Sequence, residues 1–124
     1  MSGAALSHLF VHVTSLSRTR EFWVDHIGLE VLVDEPDYVR VGGGDGFHMG
    51  IEERPMAEVG SVGIEVVVRV DDVDARVARL RGLGLQVEGP DDTPWGARHA
   101  WLHDPDGYRV SIYTPLPPAA PGRP

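Results

Sequence analysis

The sequence contains no cysteine and no lysine, and each absence excludes a type of chemistry. Without cysteine the chain has no disulfide, no thiolate nucleophile and no zinc–thiolate site. Without lysine it cannot form a Schiff base with a carbonyl substrate. All 11 basic residues are therefore arginine, so histidine, glutamate and arginine are left to carry any chemistry in a site.

Positive charge and long apolar runs are also scarce. The 19 acidic residues outnumber the basic ones and give a formal net charge of −8, which disfavours binding to nucleic acid or anionic membranes. The apolar runs are too short to span a bilayer. Residues 1–6 lack the pattern of a signal peptide, so we expect a cytoplasmic protein. Its 42% hydrophobic and 24% charged residues are typical of a folded domain.

Apolar periodicity predicts a strand, a helix and three further strands, twice in succession. The first helix is predicted over residues 18–26, with Ser15 or Ser17 as its N-cap. The second helix follows Asp71 or Asp72, and Val73, Val77 and Leu80 form its buried face. The predicted strands are 9–13, 29–33, 38–41 and 47–52 in the first half, and 66–70, 85–88, 100–103 and 108–113 in the second.

The two halves form an internal repeat. Residues 8–23 align with 65–80, and residues 45–51 align with 106–112. Neither copy, about 6–55 or about 62–115, is long enough to bury both faces of a sheet alone. We therefore expect one domain over residues 1–124, in which the copies pair, within a chain or across a dimer, around a concave surface. The proline-rich residues 116–124 are predicted to be a disordered tail.

Several short motifs lie on this repeat in a fixed order. They are His8 placed before Phe22-Trp23, Gly-Leu-Glu-Val at 28–31, Val-Asp-Asp-Val-Asp-Ala at 70–75, Pro-Trp-Gly-Ala-Arg at 94–98 and Asp-Pro-Asp-Gly-Tyr-Arg-Val at 104–110. In this order, over residues 6–115, the sequence resembles the vicinal oxygen chelate superfamily, which includes glyoxalase I, the bleomycin- and fosfomycin-resistance proteins and the extradiol dioxygenases. The resemblance implies an α+β fold of tandem βαβββ modules that form a cup-shaped mixed β-sheet, usually in a homodimer.

The resemblance also implies where a metal would bind, on the first and last strands of each repeat. Those positions hold His8, Gly50, Glu65 and Ser111. Glycine has no ligating side chain and a serine hydroxyl is a poor ligand, whereas a catalytic metal takes at least three protein ligands. The sequence therefore favours no cofactor. The alternative is a single divalent metal ion on His8 and Glu65, completed by His48, Glu52 or water.

His8 and Glu65 each have a second interpretation. His8 is either a metal ligand or a partly exposed side chain hydrogen-bonded to the backbone or to Glu65. Glu65 is a metal ligand, a general base whose pKa burial would raise, or an acceptor at a strand end.

Alternation along the strands predicts the residues that face the cup. We expect some of them to contact a ligand, the alternative being a polar network between the two halves. The candidate ligand-binding residues are Phe10, His48, Glu52, Trp95, Arg109, Ser111 and Tyr113. Trp95 is predicted to stack on a ligand and Trp101 to pack in the fold. His99 and His103 are predicted to face solvent or support loops.

Two functions of different class follow from these residues. The first is a small-molecule binding protein resembling the bleomycin-resistance branch, which would sequester a largely planar antibiotic or metabolite without a complete metal site. The acidic chain would favour a cationic ligand. The alternative is a divalent-metal-dependent lyase, isomerase or dioxygenase of the glyoxalase type, using His8 and Glu65. A third possibility is a protein-interaction or regulatory module with an occluded cup.

Overall fold

The computed structural model describes residues 6–43, 46–61 and 63–117. They divide into two compact units, one running to Gly60 and including Asp104–Gly107, the other comprising Ser61–His103 and the chain from Tyr108 onward. Most of the predicted tail, residues 118–124, and most of the segment examined for a signal peptide, residues 1–5, lie outside the described residues. The single-domain organisation stays a prediction.

The first unit contains a four-stranded mixed sheet. Its strands are β1 His8–Val13, β2 Glu30–Glu35, β3 Tyr38–Gly42 and β4 His48–Glu53. Their order across the sheet is β1-β4-β3-β2, with β1 parallel to β4 and the other pairs antiparallel. The first and last strands of the repeat are therefore neighbours, so their side chains meet on the same faces of the sheet.

The helix of the first unit begins where Ser15 caps it. The Ser15 hydroxyl accepts a hydrogen bond from the Arg18 backbone N–H, and α1 covers Leu16–Arg20. The chain then continues as a π-helix over Glu21–His26, in which the Ile27 N–H donates to the Phe22 carbonyl five residues back. The predicted helix thus starts two residues earlier than expected and widens in its second half.

A turn from later in the chain packs in the first unit. The Gly107 N–H donates to the Asp104 carbonyl at 3.0 Å, which closes a turn typical of the sequence Asp-Pro-Asp-Gly. The buried Asp104 carboxylate accepts from the Trp23 indole N–H at 3.3 Å. The Asp106 carboxylate accepts from the backbone N–H and the hydroxyl of Thr14. Asp104 thus satisfies the one polar atom of the buried Trp23 side chain, and Asp106 joins the turn to the end of β1.

The second unit repeats the element order of the first. Its strands are β5 Val66–Arg69, β6 Glu88–Asp92, β7 Ala97–His103 and β8 Arg109–Pro115. Their order is β5-β8-β7-β6, again with the first and last strands parallel. Helix α2 covers Val73–Gly82 and begins at its predicted cap, Asp72, whose carboxylate accepts from the Ala75 N–H. The tandem βαβββ architecture is confirmed.

The predicted strand at residues 85–88 is wrong. The Leu85 N–H donates to the Leu80 carbonyl at 3.1 Å, so this segment closes the end of α2 instead of joining the sheet. The Arg81 guanidinium then donates to the carbonyls of Val87 and Gly89. Pairing with β7 consequently starts only at Glu88.

The helices of the described residues are short, and α2 has ten residues. No helix there has the length and apolar character needed to cross a membrane.

Replacing Leu80 by alanine tests the predicted core face of α2. Leu80 is 0% exposed, and its truncation should lower the free energy of unfolding by about 2–5 kcal/mol because it leaves a cavity. Leu83, which ends the same helix and is 52% exposed, provides the control. Leu83→Ala should change stability by less than about 1 kcal/mol in urea unfolding. Equal losses for the two variants would contradict the assigned face.

Candidate functional site

Each sheet has one face packed against its helix and one face that its helix does not cover. In the first unit, alternate residues such as Val11, Val39 and Ile51 are buried on the helix side. The opposite side, which we call the first open face, carries the residues between them. Its members are His8, Phe10, His12, Tyr38, Arg40, His48, Gly50 and Glu52.

Gly50 lies at the centre of the first open face. Phe10 is its register partner on β1, and Arg40 is its partner on β3. A Cβ atom added at Gly50 would lie 2.8 Å from the Tyr38 hydroxyl oxygen and 3.2 Å from a ring carbon of Phe10. The Tyr38 side chain therefore occupies the space that any larger residue at position 50 would need.

Aromatic rings surround Gly50. His8 and His48 stack with their ring centroids 5.0 Å apart and an interplanar angle of 7°. The rings of Phe10 and Tyr38 stack at 6.3 Å, and Phe10 meets His12 edge-on at 5.4 Å. Phe10 is 48% exposed, which is unusual for so large an apolar side chain. Five rings thus form a surface on which a flat molecule can stack.

Glu52, predicted to contact a ligand or complete a metal site, is already paired. Its carboxylate accepts from the Arg54 Nε at 2.7 Å and lies 3.5 Å from the His12 Nε2. Its negative charge is therefore compensated by Arg54 within the first unit.

Two residues of β3 that sequence reasoning missed complete this face. The Arg40 Nε donates to the Tyr38 hydroxyl oxygen at 3.1 Å, and the guanidinium carbon lies 5.9 Å from the centre of the Tyr38 ring. No carboxylate lies within ion-pair distance of Arg40 in the described part of the chain. The alternation of Tyr38 and Arg40 with the buried Val39 and Val41 was the signal that could have found them.

The corresponding face of the second sheet, the second open face, carries a layer of stacked rings. His99 stacks on Trp101 at 5.7 Å and on Tyr113 at 5.1 Å. The indole N–H of the exposed Trp95 donates to the His99 Nε2 at 3.3 Å. His99 is only 7% exposed, so of its two predicted roles the solvent-facing one is wrong, whereas its hydrogen bond with Trp95 agrees with the loop-supporting one. The Trp101 and Tyr113 rings on either side of His99 exclude water from its polar side chain.

Strand β7, which carries His99 and Trp101, is held in place by Arg98. The Arg98 guanidinium pairs with Asp74 on α2 and with Asp92 on β6 at 2.9–3.1 Å. Its hydrogen bonds to Asp74 lower the pKa of that carboxyl. Through these ion pairs Arg98 links β7 to both α2 and β6.

Ser111 and Glu65, two of the expected metal positions, lie in environments that do not suit a metal ion. Ser111 is 0% exposed, pairs in register with Trp101, and its hydroxyl has no hydrogen-bond partner among the described residues. The Arg109 Nε donates to the Glu65 carboxylate at 2.7 Å. Arg109 also borders a cavity of about 140 Å³ with Trp101 and His103.

The donor set within each unit does not fit a catalytic metal. Gly50 offers no donor, the Ser111 hydroxyl is buried, and Glu65 is paired with a guanidinium. Over the described ranges, no three histidine, aspartate or glutamate side chains come together to hold an ion. His8 remains as a donor on the first open face, where it stacks on His48. The absence of a cofactor stays a prediction.

The family model of the Glyoxalase/Bleomycin resistance protein/Dioxygenase superfamily matches residues 5–112. The chain belongs to this superfamily. The resemblance recognised in the sequence is thereby confirmed. A search of curated proteins gave no significant match.

Solved structures extend this finding. The chain is similar to TnmS3, an antibiotic binding protein from Streptomyces sp. CB03234, with 31% identity over 93% of this chain and 98% of that one, and a TM-score of 0.76. A glyoxalase/bleomycin resistance protein from the same organism is 32% identical over 86% of this chain and 98% of that one, with a TM-score of 0.69. Lactoylglutathione lyase from Agrobacterium tumefaciens, 22% identical over 92% and 96%, with a TM-score of 0.69, shares the fold.

The predicted site residues fall on the two open faces or beside them. Those on the first are His8, Phe10, His48, Gly50 and Glu52. Those on or next to the second are Glu65, Trp95, Arg109, Ser111 and Tyr113. Their roles in ligand or metal binding stay predictions.

Replacing Gly50 by alanine tests the close approach of Tyr38. The added methyl group would overlap the Tyr38 hydroxyl, and we expect a loss of about 1–3 kcal/mol in the free energy of unfolding. Gly82→Ala is the control, because nothing lies within 4 Å of its added Cβ, and it should leave stability unchanged or raise it by up to about 1 kcal/mol. Combining Gly50→Ala with Tyr38→Ala should recover part of the loss in a double-mutant cycle. Strict additivity would contradict the contact.

Proposed function

We propose that this protein binds and sequesters a planar small molecule, either an antibiotic or another metabolite. The observation that carries the proposal is the set of five aromatic rings around Gly50, at a position that supplies no metal ligand. Similarity to TnmS3, described as an antibiotic binding protein, supports the same function. The stacked rings of the second open face provide a further aromatic surface.

Sequestration requires affinity alone, and these residues are suited to provide it. Stacked or edge-to-face aromatic pairs contribute roughly 0.5–1.5 kcal/mol each beyond the burial of their surface. Exposed rings that already contact one another lose little conformational entropy when a ligand covers them. A half-exposed Phe10 therefore gains buried area on binding without a change of fold.

Truncation of Phe10 tests this function. We expect isothermal titration against a panel of flat antibiotics, quinones and polyketides to give a ligand with a Kd of about 10 μM or tighter. Phe10→Ala should then weaken binding about tenfold, because the central stacking ring is lost. Leu83→Ala removes a side chain of similar exposure, 52% against 48%, from the end of α2, and should bind as the wild type does. Binding no tighter than millimolar across the panel would refute sequestration of such molecules.

The superfamily also supports a metal-dependent lyase, isomerase or dioxygenase that would use His8 and Glu65. In that case His8 and Glu65 would hold the ion, which would act as a Lewis acid toward substrate oxygens. The ion pair between Arg109 and Glu65 opposes this alternative, because a carboxylate held by a guanidinium is a poorer metal ligand.

Elemental analysis separates the two functions. Protein purified without chelator should contain sub-stoichiometric nickel, manganese, iron and zinc, and should remain so after each metal is added and the excess removed. A stoichiometric metal that disappears in His8→Ala would favour the enzyme. Arg109→Gln, which frees Glu65, serves as a matched variant that should raise metal uptake if the ion pair opposes binding.

The ligand class, assembly as a homodimer and location in the cytoplasm also stay predictions. Size-exclusion chromatography with light scattering measures the assembly state directly, and the expected result for a homodimer is a mass of twice 13.5 kDa.

A further inference from the structure

We propose that Arg40 and Tyr38 together recognise an electron-rich oxygen edge of the bound molecule, such as a carboxylate, a phenolate or an enolate. The preferred ligand is then flat and anionic at one edge. This inference rests on the proposed function and adds the charge of the ligand to it. It reverses the preference for cations that the net charge of −8 suggested.

The first argument is that Arg40 has no acidic partner in the described part of the chain. Four other arginines form ion pairs, namely Arg20 with Asp34, Arg54 with Glu52, Arg98 with Asp74 and Asp92, and Arg109 with Glu65. Arg40 takes part in none of them, although 19 acidic residues are available to the chain. It is half-buried beside the Tyr38 ring, where an unpaired cation is costly. An anionic ligand edge would compensate this charge.

The second argument is the number of unused donors. A guanidinium has five N–H donors, and in the described structure Arg40 uses only its Nε, on the Tyr38 hydroxyl oxygen. Because that oxygen accepts from Arg40, the hydroxyl proton is free to donate, and no acceptor for it lies among the described residues. Tyr38 and Arg40 thus present neighbouring O–H and N–H donors. Such a pair fits the two oxygens of a carboxylate or of adjacent oxygen substituents.

The third argument is the place of these donors. The Tyr38 hydroxyl reaches the space above Gly50, between β3 and Phe10. A flat ligand stacked on Phe10 would therefore have its edge beside the two donors. Stacking and hydrogen bonding then act on one molecule at once, because the ring face and its oxygen edge meet different residues.

Nearby acidic groups do not cancel this preference. Glu52 is held by Arg54. Glu35 pairs in register with Tyr38 and Glu30 with Gly42, both on the exposed edge strand β2, and neither forms an ion pair with Arg40 in the described residues. Charges elsewhere on the chain act through water and salt, which screen them beyond about 8–10 Å. Local donors therefore decide the charge of the ligand edge.

Three naphthalene probes that share one ring system test the inference. They are 2-naphthoate, 2-naphthamide and 2-naphthylmethylammonium, titrated into the full chain by fluorescence. We expect 2-naphthoate to bind about tenfold more tightly than the amide, and the ammonium to bind most weakly. Arg40→Gln should weaken naphthoate about tenfold and the amide by less than about threefold. Arg18→Gln, on α1 and away from the rings, removes the same charge and should leave both affinities unchanged.

The outcomes separate the inference from the proposed function. If all three probes bind equally, or the ammonium binds best, the oxygen-edge preference is overturned and sequestration of flat molecules stands. If none binds, sequestration of such ring systems is overturned and the preference with it. The comparison of the three probes is made on the wild-type protein, so it does not depend on whether a variant folds. Raising the salt concentration should weaken naphthoate and leave the amide unaffected, and identical salt dependence would contradict a role for Arg40.

Discussion

The close approach of the Tyr38 hydroxyl to Gly50 is the contact on which the rest of the candidate site depends. Because residue 50 has no side chain, a phenol from β3 reaches over β4 toward Phe10 on β1. That reach brings the Tyr38 ring beside Phe10 and puts its hydroxyl within reach of the Arg40 guanidinium. Glycine at position 50 therefore supplies no metal ligand, and it leaves room for the Tyr38 side chain beside Phe10 and Arg40.

Strand pairing determines which residues can meet in this way. The parallel pairing of first and last strands in each unit places Phe10 beside Gly50, and Val67 beside Ser111. An antiparallel third strand then adds Arg40 opposite Gly50 and Trp101 opposite Ser111. Since the two units have the same order, the same three positions form the centre of each open face. The side chains at those positions differ, so one duplicated backbone presents two different surfaces.

Local patterns explain why much of the architecture could be predicted from the sequence. Caps such as Ser15 and Asp72 act on the next few residues, and the spacing of Val77 and Leu80 reports a single helix face. Tyr38 and Arg40 alternate with buried valines, but the contact of Tyr38 with Phe10 and the burial of His99 depend on neighbours distant in sequence. The burial of His99, for example, results from rings on another strand and a loop. Total charge likewise carries no information on where the charges lie, so the net charge of −8 does not show that Arg40 is unpaired within the described residues of the first open face.

Positions 50 and 111 correspond in the repeat, and their neighbours constrain how this protein can evolve. A glutamate side chain at position 50 would overlap the Tyr38 hydroxyl. A glutamate at position 111 would place a carboxylate in a fully buried position opposite Trp101. At position 50 the Tyr38 and Phe10 side chains would have to move aside, and at position 111 the new carboxylate would need a buried hydrogen-bond partner. Placing a metal ligand at either position therefore depends on the neighbouring strand as well as on the new residue, so a designed metal site would need paired substitutions in each half.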